Sequence, residues 1–236
     1  MNFNIDDCIE LWIEIFGDDE EYIHRFYNSF DTGGNIFTEY DGNILCGMVN
    51  RVPIKYGNHT GGYIYAACTR PEYRGKGIFR RLLTAAEADM DFMMLIPAEP
   101  ELYEMYHKLG YDRTAYSIYP AEVEMNGFTT PFNGDLKELY RIYLENLGEN
   151  EFIKPYYIFV LSLYDFAKHG LIYLNDSNGF MIYETKGKNI IKIYDICCKN
   201  FTLYDTINEH ESGVYRIIDK SVAMPEKMKV NLFMEV

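Results

Sequence analysis

The sequence predicts an α/β layer protein, and three observations carry that expectation. Helix-spaced and strand-like segments alternate through the first half as helices, hairpin strands, strand, helix, strand, helix, strand. The segment DFMMLIPA, starting at Asp91, is a continuous apolar run, which suits a central strand covered on both faces. The segment RPEYRGKGIFRRLL, residues 70–83, joins a strand to a helix through two glycines and a basic cluster.

Each element has a local reason. Cys8, Leu11, Trp12, Ile15 and Phe16 fall at helical spacing, and Ile23, Phe26, Tyr27 and Phe30 repeat it. The spacing predicts two helices separated at Gly17, with Asp18 or Asp19 capping the second. GNIFTEYDGNILCGMVNRVPIKYG predicts antiparallel strands turning at Asp41, Gly42 and Asn43. GGYIYAACT predicts a strand over 63–69, and a helix over 77–90 follows the basic turn. PELYEMYHKLG predicts a short helix stopped by Gly110, and YDRTAYSIYP a closing strand.

The stretch EMNGFTTPFNGD is rich in Gly, Pro, Asn and Thr and marks a boundary. The division expected is 1–122, a linker over 123–134, and 135–236. The last region reads as two helices, a three-strand meander with turns at 177–179 and 186–188, another helix, and two short strands. That order repeats the first half in outline, without a second basic turn.

Composition narrows the function. Net charge is −14, which argues against a nucleic-acid partner, since that needs a basic footprint. Ten basic and 19 acidic residues leave 1–120 at −9, while 12 and 17 leave 121–236 at −5, so neither half is a basic arm. The cysteines at 8, 46, 68, 197 and 198 form no C-x-x-C pair and no zinc spacing with histidine, so no metal is expected. They read as reduced thiols of a cytoplasmic protein. The first residues lack a signal-peptide pattern, and no stretch is apolar enough to span a membrane, so no membrane partner is expected. Oligomeric state stays open.

A strand that runs into Arg74, Gly75, Lys76 and Gly77 and then a helix can bind an anion. Backbone N–H groups converge in such a turn, and the first helical N–H groups lack intrahelical partners. Gly75 and Gly77 permit close approach or positive φ, while Arg74 and Lys76 add charge. Ile78, Leu82 and Leu83 can face the sheet, leaving Arg80 and Arg81 more exposed. The spacing is neither G-x-G-x-x-G nor a P-loop. Residue types alone fit either a phosphate site or an ordinary solvated turn.

The turn resembles the acyl-CoA motif of the GNAT N-acetyltransferases, Arg/Gln-x-x-Gly-x-Gly/Ala. Arg74 and Gly77 match its first two defined positions, and Phe79 departs from the last. MYHKLGY resembles the family's Tyr-x-x-x-Gly-Phe/Tyr segment, and the likeness extends over most of 1–120. The resemblance implies a GNAT acyl-CoA-binding fold with a mixed central sheet. It implies acetyl-CoA as acyl donor and a small-molecule amine as acceptor. A non-catalytic acyl-CoA-binding or regulatory protein on the same fold is the alternative. The bulky Phe79 and the second half resemble the Eis-like multi-domain branch. That likeness implies either a degenerate acetyltransferase-like domain at 135–236 or a reduced form of the branch's last, sterol-carrier-like domain. The chain is shorter than three full domains would need.

The same resemblance implies the site. The coenzyme-binding residues expected are Ala67, Cys68, Thr69, Arg74, Gly75, Lys76, Gly77, Ile78 and Phe79. A backbone N–H within 67–69 faces the thioester carbonyl, and the amides of the turn hold the pyrophosphate. Tyr106 matches the tyrosine that protonates the departing thiolate; Tyr103 and Tyr106 also fit packing residues one turn apart. The Eis-like branch uses the chain's own terminal carboxylate as base, which here is Val236. Glu99 and Glu101 are the other acidic candidates, each equally readable as a helix N-terminal charge. Cys68 reads as a buried strand cysteine and not a nucleophile, and His107 as a surface or capping residue.

Overall fold

The computed structural model describes residues 4–29, 34–120, 129–131, 134–166, 171–174, 179–186, 189–197 and 207–230. Helix α1, Ile5–Phe16, starts at Asn4, whose side chain accepts from the Asp6 N–H. It ends at Gly17, whose φ of 72° lets its N–H reach the Ile13 carbonyl at 2.9 Å. Helix α2, Glu20–Ser29, is capped by Asp19, which accepts from Tyr22 N–H at 3.1 Å. Asp18 has a different task, accepting from Trp12 Nε1 at 2.7 Å.

Strands β1, Ile36–Asp41, and β2, Ile44–Tyr56, form the expected hairpin, with Asp41 opposite Ile44. Strand β3, His59–Thr69, is four residues longer at its start than the 63–69 expected, because the turn at Gly57 and Asn58 makes a second hairpin with β2. Helix α3, Ile78–Ala86, ends short of the expected 90. Strand β4, Phe92–Leu95, is buried along its length and pairs parallel with β3. Helix α4, Leu102–Lys108, stops before Gly110 at φ 93°. Strand β5, Arg113–Pro120, follows.

The remaining elements are β6, Thr129–Pro131; α5, Leu136–Asn146; α6, Tyr156–Phe166; β7, Leu171–Leu174; β8, Phe180–Lys186; β9, Asn189–Cys197; β10, Ile207–Ile217; and β11, Lys227–Lys229. The chain divides into two compact units that are not contiguous in sequence. The first holds the described residues up to Arg113 together with Val214–Met224; the second holds those of 114–213 and 225–230.

In the first unit, β4 is flanked by β3 on one side and by residues 214–217 of β10 on the other, the latter antiparallel. DFMMLIPA is therefore central, as its apolar run implies. Its second neighbour comes from near the end of the chain instead of the adjoining β5. The parallel β3–β4 pair and its antiparallel neighbours make a mixed sheet with helices packed on both faces. On one face Ile78, Leu82 and Leu83 of α3 and Tyr106 of α4 join Val49, Ile64, Met93 and Leu95 in one buried cluster. On the other, Trp12 of α1 and Phe26 of α2 set their ring centroids 5.4 Å from that of Tyr65. Tyr63 and Tyr65 thus face α1 and α2 while Ile64 faces α3, the alternation a strand imposes.

In the second unit, β6, β7, β8 and β9 form an antiparallel sheet. The expected three-strand meander is present as β7, β8 and β9. Leu139, Ile142 and Tyr143 of α5 pack with Phe159 and Leu163 of α6 and with Phe180 and Ile182 of β8. Strands β5 and β11 pair in parallel, with Thr114 opposite Lys227. The helix expected after Cys198 lies outside the described residues, apart from its last part: 207–210 belong to β10. Cys8, Cys46, Cys68 and Cys197 carry free thiols, and Cys198 lies outside the described residues.

Gly61 shows how tightly the central sheet is built. A Cβ there would lie 2.3 Å from the ring of Phe92, which is fully buried. Gly61→Ala is therefore expected to lower stability by about 1–3 kcal/mol through overpacking. Urea unfolding of the two proteins, read as a shift in midpoint at constant slope, checks this.

Candidate functional site

The site begins where β3 and β4 part. Their pairing runs from Gly61 opposite Phe92 to Ile64 opposite Leu95, and β3 continues to Thr69 after β4 has ended. The edge of β3 over residues 65–69 is thereby released from its parallel neighbour. On its other edge, pairing with β2 shifts register between Met48 and Asn50, so Ala66 and Ala67 stand opposite Val49 alone. This is a β-bulge, and Ala66 holds φ at 45°, a left-handed conformation unusual for a residue with a side chain. Bulges of this kind interrupt the ladder and leave backbone groups free to face a ligand.

Beyond Thr69 the chain turns under several constraints. Arg70 N–H donates to the Cys46 carbonyl at 2.9 Å, its Nε to the Leu45 carbonyl at 2.8 Å, and its guanidinium pairs with Glu14. Pro71–Tyr73 makes one 3-10 turn, and Tyr73 OH donates to Asp41 at 3.2 Å. Gly75 and Gly77 both have positive φ, 76° and 74°, the backbone freedom their residue type supplies. Gly77 is the N-cap of α3 and offers no side-chain cap. The Arg81 N–H reaches the Gly77 carbonyl at 3.1 Å. The N–H groups of Ile78, Phe79 and Arg80 are accordingly the first donors of the helix, without an intrahelical carbonyl to receive them.

The basic residues divide their work. Arg81 donates from Nη1 to the Lys76 carbonyl at 3.0 Å and from Nε to Glu39 at 3.0 Å, which pins the turn. Arg74 donates from Nε to the Thr69 carbonyl at 3.2 Å, closing the turn onto the strand end. Lys76 lies with its ammonium 4.4 Å from the Tyr73 ring centroid and is exposed, as is Arg80. An anion at the start of α3 would thus meet backbone N–H groups, the helix dipole and exposed cations together.

Gly47 lets this assembly close. A Cβ there would sit 3.0 Å from both the Cys68 carbonyl and the Ile78 side chain. Thr69 Oγ1 is buried beside Gly47 and has no hydrogen-bond partner among the described residues. Tyr106 approaches from α4. Its ring centroid lies 6.0 Å from that of Phe79 and 5.9 Å from that of Tyr111, both edge-on. Two residues singled out separately in the sequence, Phe79 and Tyr106, are in contact. Burial pushes the Tyr106 phenol up to about 12, so it is a proton donor at neutral pH.

The family described as acetyltransferase (GNAT) domain matches residues 2–114. A GCN5-related N-acetyltransferase from Anabaena variabilis superposes with a TM-score of 0.66 at 17% identity, covering 91% of this chain and 70% of that one. The first unit has the GNAT acetyltransferase fold. A probable N-acyltransferase from Enterococcus faecalis superposes with a TM-score of 0.64 at 15% identity, over 91% of this chain and 70% of that one. Eis1 from Mycobacterium abscessus gives 0.62 at 11% identity, over 85% and 71%. No curated protein matches the chain.

Within this GNAT fold the other candidates fall as follows. Ala67 and Thr69 are half-buried at the end of β3 and Cys68 is buried. Burial pushes the Cys68 thiol up to about 12, leaving it a thiol and not a thiolate at neutral pH. Glu99 and Glu101 are exposed just before α4. The Glu99 carbonyl accepts from Leu102 N–H at 3.0 Å, so this stretch opens the helix. His107 is exposed on α4, and Tyr103 packs at the edge of the core. Val236 lies outside the described residues. Among the described residues, no cluster of three His, Cys, Asp or Glu could hold a metal ion, and no helix is long and apolar enough to cross a membrane.

Sequence reasoning missed Asn50, Ala66 and Arg81. Arg81 is exposed, as its helix position implies, and it also ties Lys76 to Glu39, which its spacing does not show. Asn50 had a visible signal, being the one amide side chain within the run LCGMVNRV.

Proposed function

We propose that the chain is an acetyl-CoA-dependent N-acetyltransferase that transfers acetyl directly to a small amine. The observation that carries this is the juxtaposition of three parts: the released, bulged end of β3, the glycine turn at the N-terminus of α3, and the neutral Tyr106 phenol in contact with Phe79. In this reading the N–H groups from Gly75 to Phe79 receive the pyrophosphate of acetyl-CoA, with Lys76 adding charge. The Arg74 side chain serves mainly to hold the turn. A backbone N–H within 67–69 receives the thioester oxygen, and the orphan Thr69 hydroxyl lies on the same strand end.

The reaction is a direct displacement. The neutral amine nitrogen adds to the thioester carbonyl carbon, and the oxyanion that forms is held by the backbone donor. The C–S bond then breaks, and Tyr106 gives its proton to the departing thiolate. The proton lost by the amine goes to a carboxylate. We assign that part to the Val236 terminus, with Glu99 or Glu101 acting through water as the alternative. The expected first region, 1–122, is the catalytic one in this proposal, completed by residues 214–217 of β10; of the expected linker, 123–134, residues 129–131 form β6 in the sheet of the second unit. We read 135–236 as an acetyltransferase-like scaffold without a phosphate turn, and the chain as an Eis-like protein.

The test is a thiol-release screen with acetyl-CoA and a panel of primary amines, from polyamines to aminoglycosides. Thiol release that depends on one amine class, matched by the N-acetyl product, is expected. Coenzyme binding without amine-dependent release would favour a binding protein.

A further inference from the structure

The bulge at Ala66 needs something to hold it. A non-glycine residue in the left-handed region persists only where its surroundings fix it. The fixing group is Asn50. It is fully buried on β2, opposite Tyr65, at the point where the register shifts. Its Nδ2 donates to the Tyr65 carbonyl at 3.2 Å. Its Oδ1 accepts from Tyr27 OH at 3.3 Å. The assignment of nitrogen and oxygen follows from the partners, since the Tyr65 carbonyl can only accept. A buried amide with both ends engaged has one orientation.

The Tyr65 carbonyl and the Ala66 N–H belong to one planar trans peptide, so they point to opposite sides. Holding the carbonyl toward Asn50 turns the Ala66 N–H away from it and sets the path of the chain into Ala67 and Cys68. We infer that Asn50 is a positioning residue: by clamping the peptide before Ala66, it aims the backbone N–H groups of the bulge at the acyl carbonyl. Tyr27 acts behind it by fixing the amide. The inference rests on the acetyl-transfer reading for its catalytic half and on geometry alone for the clamp.

A structural role alone would lower stability and leave the chemistry of the folded protein unchanged. Asn50→Leu combined with Tyr27→Phe removes the clamp at similar volume and takes the side-chain donor away from the Tyr65 carbonyl. Tyr27→Phe alone keeps the clamp and removes its backing, a milder change for use if the double variant does not fold. Three quantities are read on the folded proteins: coenzyme A affinity by calorimetry, kcat at saturating acetyl-CoA and amine, and amide hydrogen exchange at Ala66 and Ala67 by NMR. Coenzyme affinity is expected within about twofold of wild type, because the phosphate turn is separate. Turnover is expected to fall about tenfold or more, as when an oxyanion donor is misplaced. Exchange at Ala66 and Ala67 is expected to speed up about tenfold as local opening becomes easier. Unchanged exchange in the folded variant overturns the clamp. Faster exchange with wild-type kcat overturns its catalytic part. If the wild-type protein acetylates no amine, the acetyl-transfer reading and the catalytic part fail together, and the exchange data alone decide the clamp.

Discussion

Gly77→Val is expected to abolish coenzyme A binding, with an affinity loss of about 100-fold or more, equivalent to about 2.7 kcal/mol. Two effects act together. Gly77 sits at φ 74°, a conformation that costs a β-branched residue about 1–2 kcal/mol. The valine either strains the turn or relaxes it, and relaxation moves the amides that must converge on the phosphates. Its side chain also stands 3.3 Å or less from the Arg81 guanidinium that holds the Lys76 carbonyl. Arg74→Ala is expected to weaken binding less, because Arg74 closes the turn onto Thr69 and is not its main donor of N–H groups. Calorimetric titration with coenzyme A, beside a thermal melt of each variant, measures both. Wild-type affinity in folded Gly77→Val would remove the turn from the coenzyme site.

Tyr106→Phe is expected to lower turnover by about 10²–10⁴-fold, the usual weight of a positioned acid. Coenzyme affinity should stay within about twofold, because the ring keeps its edge-on contacts with Phe79 and Tyr111. A fall in kcat without a change in coenzyme binding is the signature of an interaction made in the transition state. The pH behaviour follows from the direction of the shift. The folded phenol stays neutral up to about pH 12, whereas an unfolded tyrosine ionises near its ordinary value of 10. The unfolded state therefore gains from ionisation first, and stability falls as pH rises from 10 toward 12. Tyr106→Phe removes its share of that loss, so its stability at pH 11 should decline less steeply than that of wild type. Tyr65 and Tyr111, also buried and shifted upward, retain theirs.

What the sequence made legible was local. Gly17, the turn at Gly42 and Asn43, the apolar run at 92–95 and the Gly75–Lys76–Gly77 turn each follow from a backbone rule that acts over a few residues. Three features escaped such rules. The strand beside β4 is Val214 and its neighbours, more than a hundred residues away, and no periodicity announces a partner at that distance. The bulge at Ala66 adds one residue to one strand, and GGYIYAACT reads as an unbroken strand with or without it. Asn50 is polar within an apolar run, and only the Tyr65 carbonyl and the Tyr27 hydroxyl on either side of it explain why. Of the proposed coenzyme site, the turn was readable and its supports were not: the contact of Arg74 Nε with the Thr69 carbonyl and those of Arg81 with Lys76 and Glu39 depend on geometry that no local pattern encodes.

The terminal carboxylate can be tested by extending the chain past Val236 with two small residues, which moves the charge without deleting apolar contacts. The acetyl-transfer claim itself is tested most directly by one measurement. Purified protein is mixed with acetyl-CoA and the amine panel, and free coenzyme thiol and N-acetyl product are quantified together, wild type beside Tyr106→Phe. Equimolar thiol and N-acetylamine from the wild type, at a rate at least about 100-fold above the variant, is the expected result. Thiol release no faster than in protein-free controls for every amine, from a protein that binds coenzyme A, would contradict it.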